Sequence, residues 1–150
     1  MTLRLRDVRS LYVPPDASGP GSQLAALMDH SADFVFFKDR NHVLTGASQS
    51  LAELTGTAHW SALLGRTDYE VFPEEHADGY YRLEKEVFAH GRPVFEQQSF
   101  LRPDGRVGWV DNRKYPIFDA QGEVIGLFGI ARDVTDKVEA EAALKAERAH

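Results

Sequence analysis

The spacing of apolar residues changes period along the chain and divides it into segments. Leu24, Leu27 and Met28 recur at i, i+3, i+4 behind Ser22, which predicts a short helix capped by Ser22 and ending near His30. Phe34 to Lys38 is aromatic and β-branched, as strands prefer, and Asp39-Arg40-Asn41 then turns the chain into a return strand at Val43-Leu44-Thr45. From 47 to 91 the period becomes helical. Leu51, Leu54 and Thr55 precede a stop at Gly56; Trp60, Leu63 and Leu64 precede Gly65; Thr67 and Glu70 have capping-box spacing around one turn. Pro73 at a first helical position opens a longer helix to about His90, with Ala77, Tyr80, Tyr81, Leu83, Val87 and Phe88 on its apolar side and Gly91 as terminator.

Strands return at Val94 to Leu101, Val107 to Phe118 and Val124 to about Val134, joined by Pro103-Asp104-Gly105 and Asp119-Ala120-Gln121-Gly122. Strands joined by such short turns are antiparallel neighbours. Beyond Thr135 the composition switches to Ala, Glu, Lys and Leu, and Asp136 with Glu139 predicts a capped helix over 136–150. The expected architecture is α+β. A five-stranded antiparallel sheet carries short helices on one face, flanked by N- and C-terminal helices. Residues 1–21 read as an extension and linker, since Leu3, Leu5, Val8 and Leu11 run into a Pro- and Gly-rich stretch; the domain occupies 22–135 and the exit helix 136–150.

Composition narrows the chemistry. With 150 residues the chain makes one domain, and its 17 Lys and Arg against 23 Asp and Glu, a net charge of −6, argue against a nucleic-acid surface. No cysteine is present, which removes disulfides, thiolate metal sites and cysteinyl photochemistry. Apolar stretches fall short of the roughly 20 residues that cross a bilayer, and the charged N-terminus does not resemble a signal peptide, so a cytoplasmic location is expected. The histidines have no i, i+4 pairing that suits a metal and read as solvated surface. Gly126 and Gly129 fall inside a strand pattern, where they allow close packing instead of cradling phosphate. No nucleophile and base are paired, so no enzyme activity is expected.

The order of elements and several local motifs resemble the PAS domain, a sensory module of bacterial signalling proteins, over about residues 24–145. The similarity is carried by Phe36-Phe37-Lys38-Asp39, Leu51-Ala52-Glu53-Leu54-Thr55-Gly56, Leu64-Gly65-Arg66-Thr67-Asp68, Pro103-Asp104-Gly105 with Trp109-Val110, Pro116-Ile117-Phe118-Asp119 with Gly122, and the run from Gly126 to Thr135. Ser48 departs from the pattern, standing where many members have asparagine. The resemblance implies an interior able to hold a small ligand. Phe36, Leu51, Trp60, Tyr69, Phe72, Tyr80, Phe100, Trp109 and Phe128 are the lining candidates, with only one alternating pair of Phe34/Phe36 and Val35/Phe37 able to face inward.

It also implies a junction at Asp133 and Thr135 that passes a change in the sheet to the exit helix. Haem would need an axial histidine, for which His76 and His90 are the candidates on the long helix; flavin has no positive signal, and the cofactor stays unassigned. The expected partners are a second copy, through the flanking helices and sheet face, and an output domain in cis, of two-component or cyclic-nucleotide signalling. A ligand-free dimerisation module is the alternative.

Overall fold

A computed structural model describes residues 20–149; residues 1–19 of the expected extension over 1–21 lie outside them, as does His150, and residues 20–21 belong to the first helix. The described elements run α1 (Pro20–His30), β1 (Phe34–Asp39), β2 (Leu44–Ala47), α2 (Gln49–Leu54), a 3₁₀ turn (Trp60–Leu63), α3 (Asp68–Val71), α4 (Glu74–His90), β3 (Val94–Leu101), β4 (Val107–Phe118), β5 (Val124–Asp133) and α5 (Thr135–Arg148). The five strands form one antiparallel sheet in the order β2-β1-β5-β4-β3, so the last strand lies at its centre between β1 and β4.

Turn chemistry accounts for these joins. The Asp39 carboxylate accepts from the backbone N–H groups of Asn41 and Val43, closing the first hairpin. In the last, Asp119 accepts from Gln121 and Glu123 in the same way. Gly91 ends α4 in the left-handed region at φ 63°, its N–H bonded to the Val87 carbonyl, a conformation glycine adopts without steric cost.

The inner face is built around Phe36, Leu44, Leu51, Trp60, Leu63, Val87 and Leu127, with α2, α3 and α4 packed over it. Phe36 pairs in register with Gly129, and a Cβ on Gly129 would sit 2.1 Å from Phe36 Cζ. Glycine there lets the Phe36 ring lie directly on β5.

Several boundaries and faces differ from expectation. Helix α1 starts at Pro20, two residues before Ser22, a shift within ordinary helix-end variation. Its buried residues are Ala25 and Met28, whereas Leu24 and Leu27 are half exposed. Pro73 precedes α4 as its cap residue, with extended ψ of 143°, and does not occupy the first helical position. Helix α5 begins at Thr135 after Val134, which has no side chain to cap with, so the Asp136 and Glu139 pair already lies inside the helix. Beyond Val138 every described residue of α5 is exposed.

Candidate functional site: an interior cavity beside a buried ion cluster

Alternation along three strands creates the site. Phe34, Phe36 and Lys38 share the inner face of β1; Val110, Asn112 and Lys114 share that of β4; Leu127, Gly129 and Ala131 share that of β5. Helix α4 crosses above them and directs Tyr80 and Glu84, one turn apart, downward. Between these layers lies a cavity of about 40 Å³, lined on its apolar side by Phe34, Phe36, Leu44, Leu51, Leu54, Phe72, Tyr80, Phe100, Val110 and Ala131. Its polar wall is Lys38, Asp68, Asn112 and Lys114.

That wall belongs to an ion cluster carried by four elements and a turn. Lys38 Nζ donates to Asp68 Oδ2 at 2.5 Å and to Glu84 Oε2 at 2.6 Å. Lys114 Nζ donates to the same Glu84 oxygen and, at 3.2 Å, to the Tyr80 carbonyl. His42, held at φ 65° in the β1–β2 turn, places Nδ1 2.9 Å from Glu84 Oε1. Glu84 is 0% exposed and Lys114 1%. Both lysines also lie near the Phe36 ring, with Nζ 5.4 and 5.1 Å from its centroid.

Burial opposes charge throughout, and the partners decide the outcome. Burial pushes Glu84 up, but the Lys114 and Lys38 ammoniums and the His42 bond override it and hold the carboxyl well below the usual range. Lys38 is drawn down by burial, yet Asp68 and Glu84 more than offset this and leave it above the ordinary lysine value. For Lys114 burial wins over Glu84, with Lys38 pushing the same way, and its ammonium is easier to deprotonate than a free lysine. Burial, followed by the Asp68 charge, raises Tyr80 above the ordinary phenol.

The residues expected to line a pocket separate into two groups. Phe36, Leu51, Phe72, Tyr80 and Phe100 meet around the cavity. Trp60 is buried beside it in the core, with its indole N–H 3.3 Å from Asp29 Oδ1. Tyr69 is 45% exposed and donates to Asp78. Trp109 and Phe128 sit at outward positions of β4 and β5, because their parity is opposite to that of Val110 and Leu127. Of the β1 alternatives, Phe34 and Phe36 face the cavity, while Phe37 meets Phe128 on the outer face.

The histidines are not simply solvated. His76 is buried and bonds Ser99 Oγ through Nδ1 at 3.1 Å; His59 Nδ1 accepts from the Ser61 N–H and caps the 3₁₀ turn. Neither His76 nor exposed His90 lines the cavity, and a haem does not fit a space of about 40 Å³. The sequence reading overlooked Lys38, Glu84, Asn112 and Lys114. A period-two count from Phe36 reaches Lys38, and the Tyr80, Leu83, Val87 stripe brackets Glu84, so charged residues at apolar positions were the available signal.

Two further contacts position the neighbouring elements. Ser48, fully buried at the asparagine position, accepts from Val35 N–H at 2.9 Å and Leu51 N–H at 3.4 Å, joining β1 to the start of α2. At the other end, Asp133 Oδ1 accepts from the Thr135 N–H at 2.9 Å and from its hydroxyl at 2.5 Å. Thr135 Oγ1 in turn accepts from Trp109 N–H at 3.0 Å, and Val134 N–H donates to the Trp109 carbonyl at 2.8 Å. The first turn of α5 is therefore tied to β4 as well as to β5.

A five-stranded antiparallel sheet, helices packed over one face and a small lined interior define an α+β module. Comparison places it more narrowly: the family model for the PAS fold matches residues 28–139, and the chain belongs to that family. The Escherichia coli aerobic respiration control sensor protein ArcB is 29% identical over 124 residues, covering 83% of this chain and 16% of its own length. A Vibrio cholerae diguanylate cyclase is 32% identical over 108 residues, covering 71% of this chain and 33% of its own. Among solved structures, the Vibrio cholerae VqmA complex with ligand and DNA has 27% identity and a TM-score of 0.69, over 77% of this chain and 52% of that one. The chain thus spans a sixth to a half of these relatives.

Proposed function

We propose that this PAS domain senses a small molecule in its interior cavity and relays occupancy to the exit helix α5. One adjacency carries the reading. Val110 and Ala131 line the cavity; Trp109, next to Val110, and Asp133, paired with Val110 in register and two residues beyond Ala131, make the bonds that hold Thr135 and the start of α5. A strand that shifts to accommodate a ligand at Val110 or Ala131 shifts those anchors with it. VqmA, solved with a ligand and DNA, supports a ligand-binding role, and the sensor and cyclase relatives support an output domain in cis of two-component or cyclic-nucleotide type. Filling the cavity from the wall is the test. Ala131→Leu is expected to change amide-exchange protection over residues 134–142 by at least about threefold while α2 keeps its own. An unchanged exit helix in a folded variant defeats the relay.

A second reading, self-association, is favoured by the outer face. Phe37, Phe128, Tyr115 and Phe95 form a row of contacting rings across four strands, ending at Phe95, which is 53% exposed. Ile130 extends the same apolar surface, Ile125 is exposed too, and Leu24 and Leu27 of α1 are half exposed as well. Dimerisation through this face and the flanking helices is expected in sedimentation, weakened by Phe95→Ser and by removal of residues 136–150. A monomer at every concentration in the intact chain sinks this reading.

A further inference from the structure

Lys114 stands on the cavity wall, buried, and its ammonium donates to Glu84 Oε2 and to the Tyr80 carbonyl. An ammonium has three donors, and around the third lie the Phe36 and Tyr80 rings, their centroids 5.1 and 5.7 Å from Nζ. Lys38 donates to the same Glu84 oxygen, so two cations share one carboxylate atom. Burial, and after it the Lys38 charge, ease proton loss from Lys114 against the pull of Glu84. A desolvated amine beside a second cation is the arrangement that makes a lysine nucleophilic. Lys38 itself bonds two carboxylates and holds its proton more firmly.

Space limits what can reach that amine. About 40 Å³ takes about three water-sized spheres, and Asn112 Oδ1, a buried acceptor on the same wall without a protein donor, suits one water, which leaves room for about two non-hydrogen atoms. Charge limits it further. Lys38 and Lys114 balance Asp68 and Glu84, and an acyl donor or carbon dioxide would turn the Lys114 cation into a neutral amide or an anionic carbamate, leaving Glu84 short of a counter-charge. Condensation with an aldehyde keeps the balance. The amine forms a bond to the carbonyl carbon, the carbon–oxygen bond breaks, and the oxygen leaves as water: R–NH₃⁺ + H₂C=O gives R–NH⁺=CH₂ + H₂O. The proton that Lys114 gives up to become an amine is the one spent on the departing hydroxyl, delivered by the Lys38 ammonium and then restored to it. The protonated imine retains the positive charge and one N–H for Glu84.

We propose that Lys114 is a covalent capture site for a one-carbon aldehyde, held as a protonated imine beside Glu84. This rests on the cavity-sensing reading and names the class of molecule sensed. The full chain is incubated with formaldehyde near neutral pH, desalted, and unfolded into cyanoborohydride, which reduces any surviving imine to a stable methylamine that peptide mass spectrometry locates. Lys114 is expected to carry at least about threefold more label than Lys85, Lys137 and Lys145, which are all exposed. Isobutyraldehyde, too large for the cavity, is expected to label those three and spare Lys114. A buried lysine with a purely structural role is instead the least labelled, and that order overturns the proposal. Equal labelling of Lys114 by both aldehydes overturns it too, because the cavity then selects nothing. Formaldehyde-dependent ¹H–¹⁵N shifts at Val110 and Ala131 without label on Lys114 overturn the bond and leave the sensing reading standing. The relay to α5 is judged separately by Ala131→Leu, which involves no aldehyde, so the two readings fail independently.

Discussion

On β4, Asn112 and Lys114 face inward and are almost fully buried, while Trp109 and Tyr115 face outward and keep part of their surface in water. On β5 the inward residues are Leu127, Gly129 and Ala131, and the outward ones Phe128 and Ile130. On these two strands the inner positions thus hold charged, polar and small residues beside Val110 and Leu127, where a simple domain would place large apolar ones throughout. The outer face carries the aromatic row. Such an inversion costs stability on both sides: desolvated ions inside, and apolar area left in water outside. The two costs predict different sensitivities to mutation.

The inner face should be the fragile one. Glu84→Leu leaves two ammoniums near one another without their shared carboxylate, and about 3–5 kcal/mol of unfolding free energy is expected to go. On the outer face, Ile130→Ser removes a side chain already 36% exposed and is expected to cost about 1 kcal/mol or less. Urea unfolding of both variants measures the contrast. Equal losses would erase the distinction between the faces.

Acid reaches the same cluster without mutation. Glu84 is held below its ordinary pKa when folded, so the unfolded chain binds the extra proton first as pH falls through the unfolded value of about 4.3. Stability is therefore present above that value and is lost progressively as the pH drops below it. In Glu84→Gln the slope of the urea midpoint between pH 4.5 and 3 is expected to flatten. A slope identical to that of the unmutated chain would place the acid sensitivity elsewhere.

The same inversion explains what the sequence did and did not disclose. Turns and stops were legible because each has a local cause: Gly105 takes φ of 84° in the Pro103-Asp104-Gly105 turn, and Gly91 ends α4. Strand existence was equally legible. Which side of each strand faces inward was not. On β4 the odd positions Val107, Trp109, Tyr115 and Ile117 are the more apolar set, and hydrophobic alternation assigns them to the interior. The even set of Gly108, Val110, Asn112 and Lys114 goes inside because Lys114 finds Glu84 and Asn112 finds Gln98, partners 30 and 14 residues away. Pairings at that separation have no local signature. Trp109 and Phe128 were placed in the pocket as aromatic candidates, and Lys38 was read as the end of the first strand with no face assigned to it.

Thr135 provides the finest test, because it joins the two faces at one point. Its hydroxyl is buried and accepts from Trp109 N–H, an outward residue adjacent to inward Val110. A Cβ on neighbouring Gly108 would come within 2.7 Å of Thr135 Oγ1, so glycine leaves the opening through which the hydroxyl reaches the sheet. Thr135→Ala deletes the acceptor, strands the Trp109 N–H and frees Asp133 from one of its two donors, at an expected cost of about 1 kcal/mol. The effect should concentrate at the junction. Amide-exchange protection is expected to drop over residues 134–142, more so when Asp133→Ala is added, while the β1–β5 pairing stays protected. If protection falls evenly through the sheet, Thr135 is one more core contact; if it falls only beyond the junction, the exit helix depends on bonds made by the strand that walls the cavity.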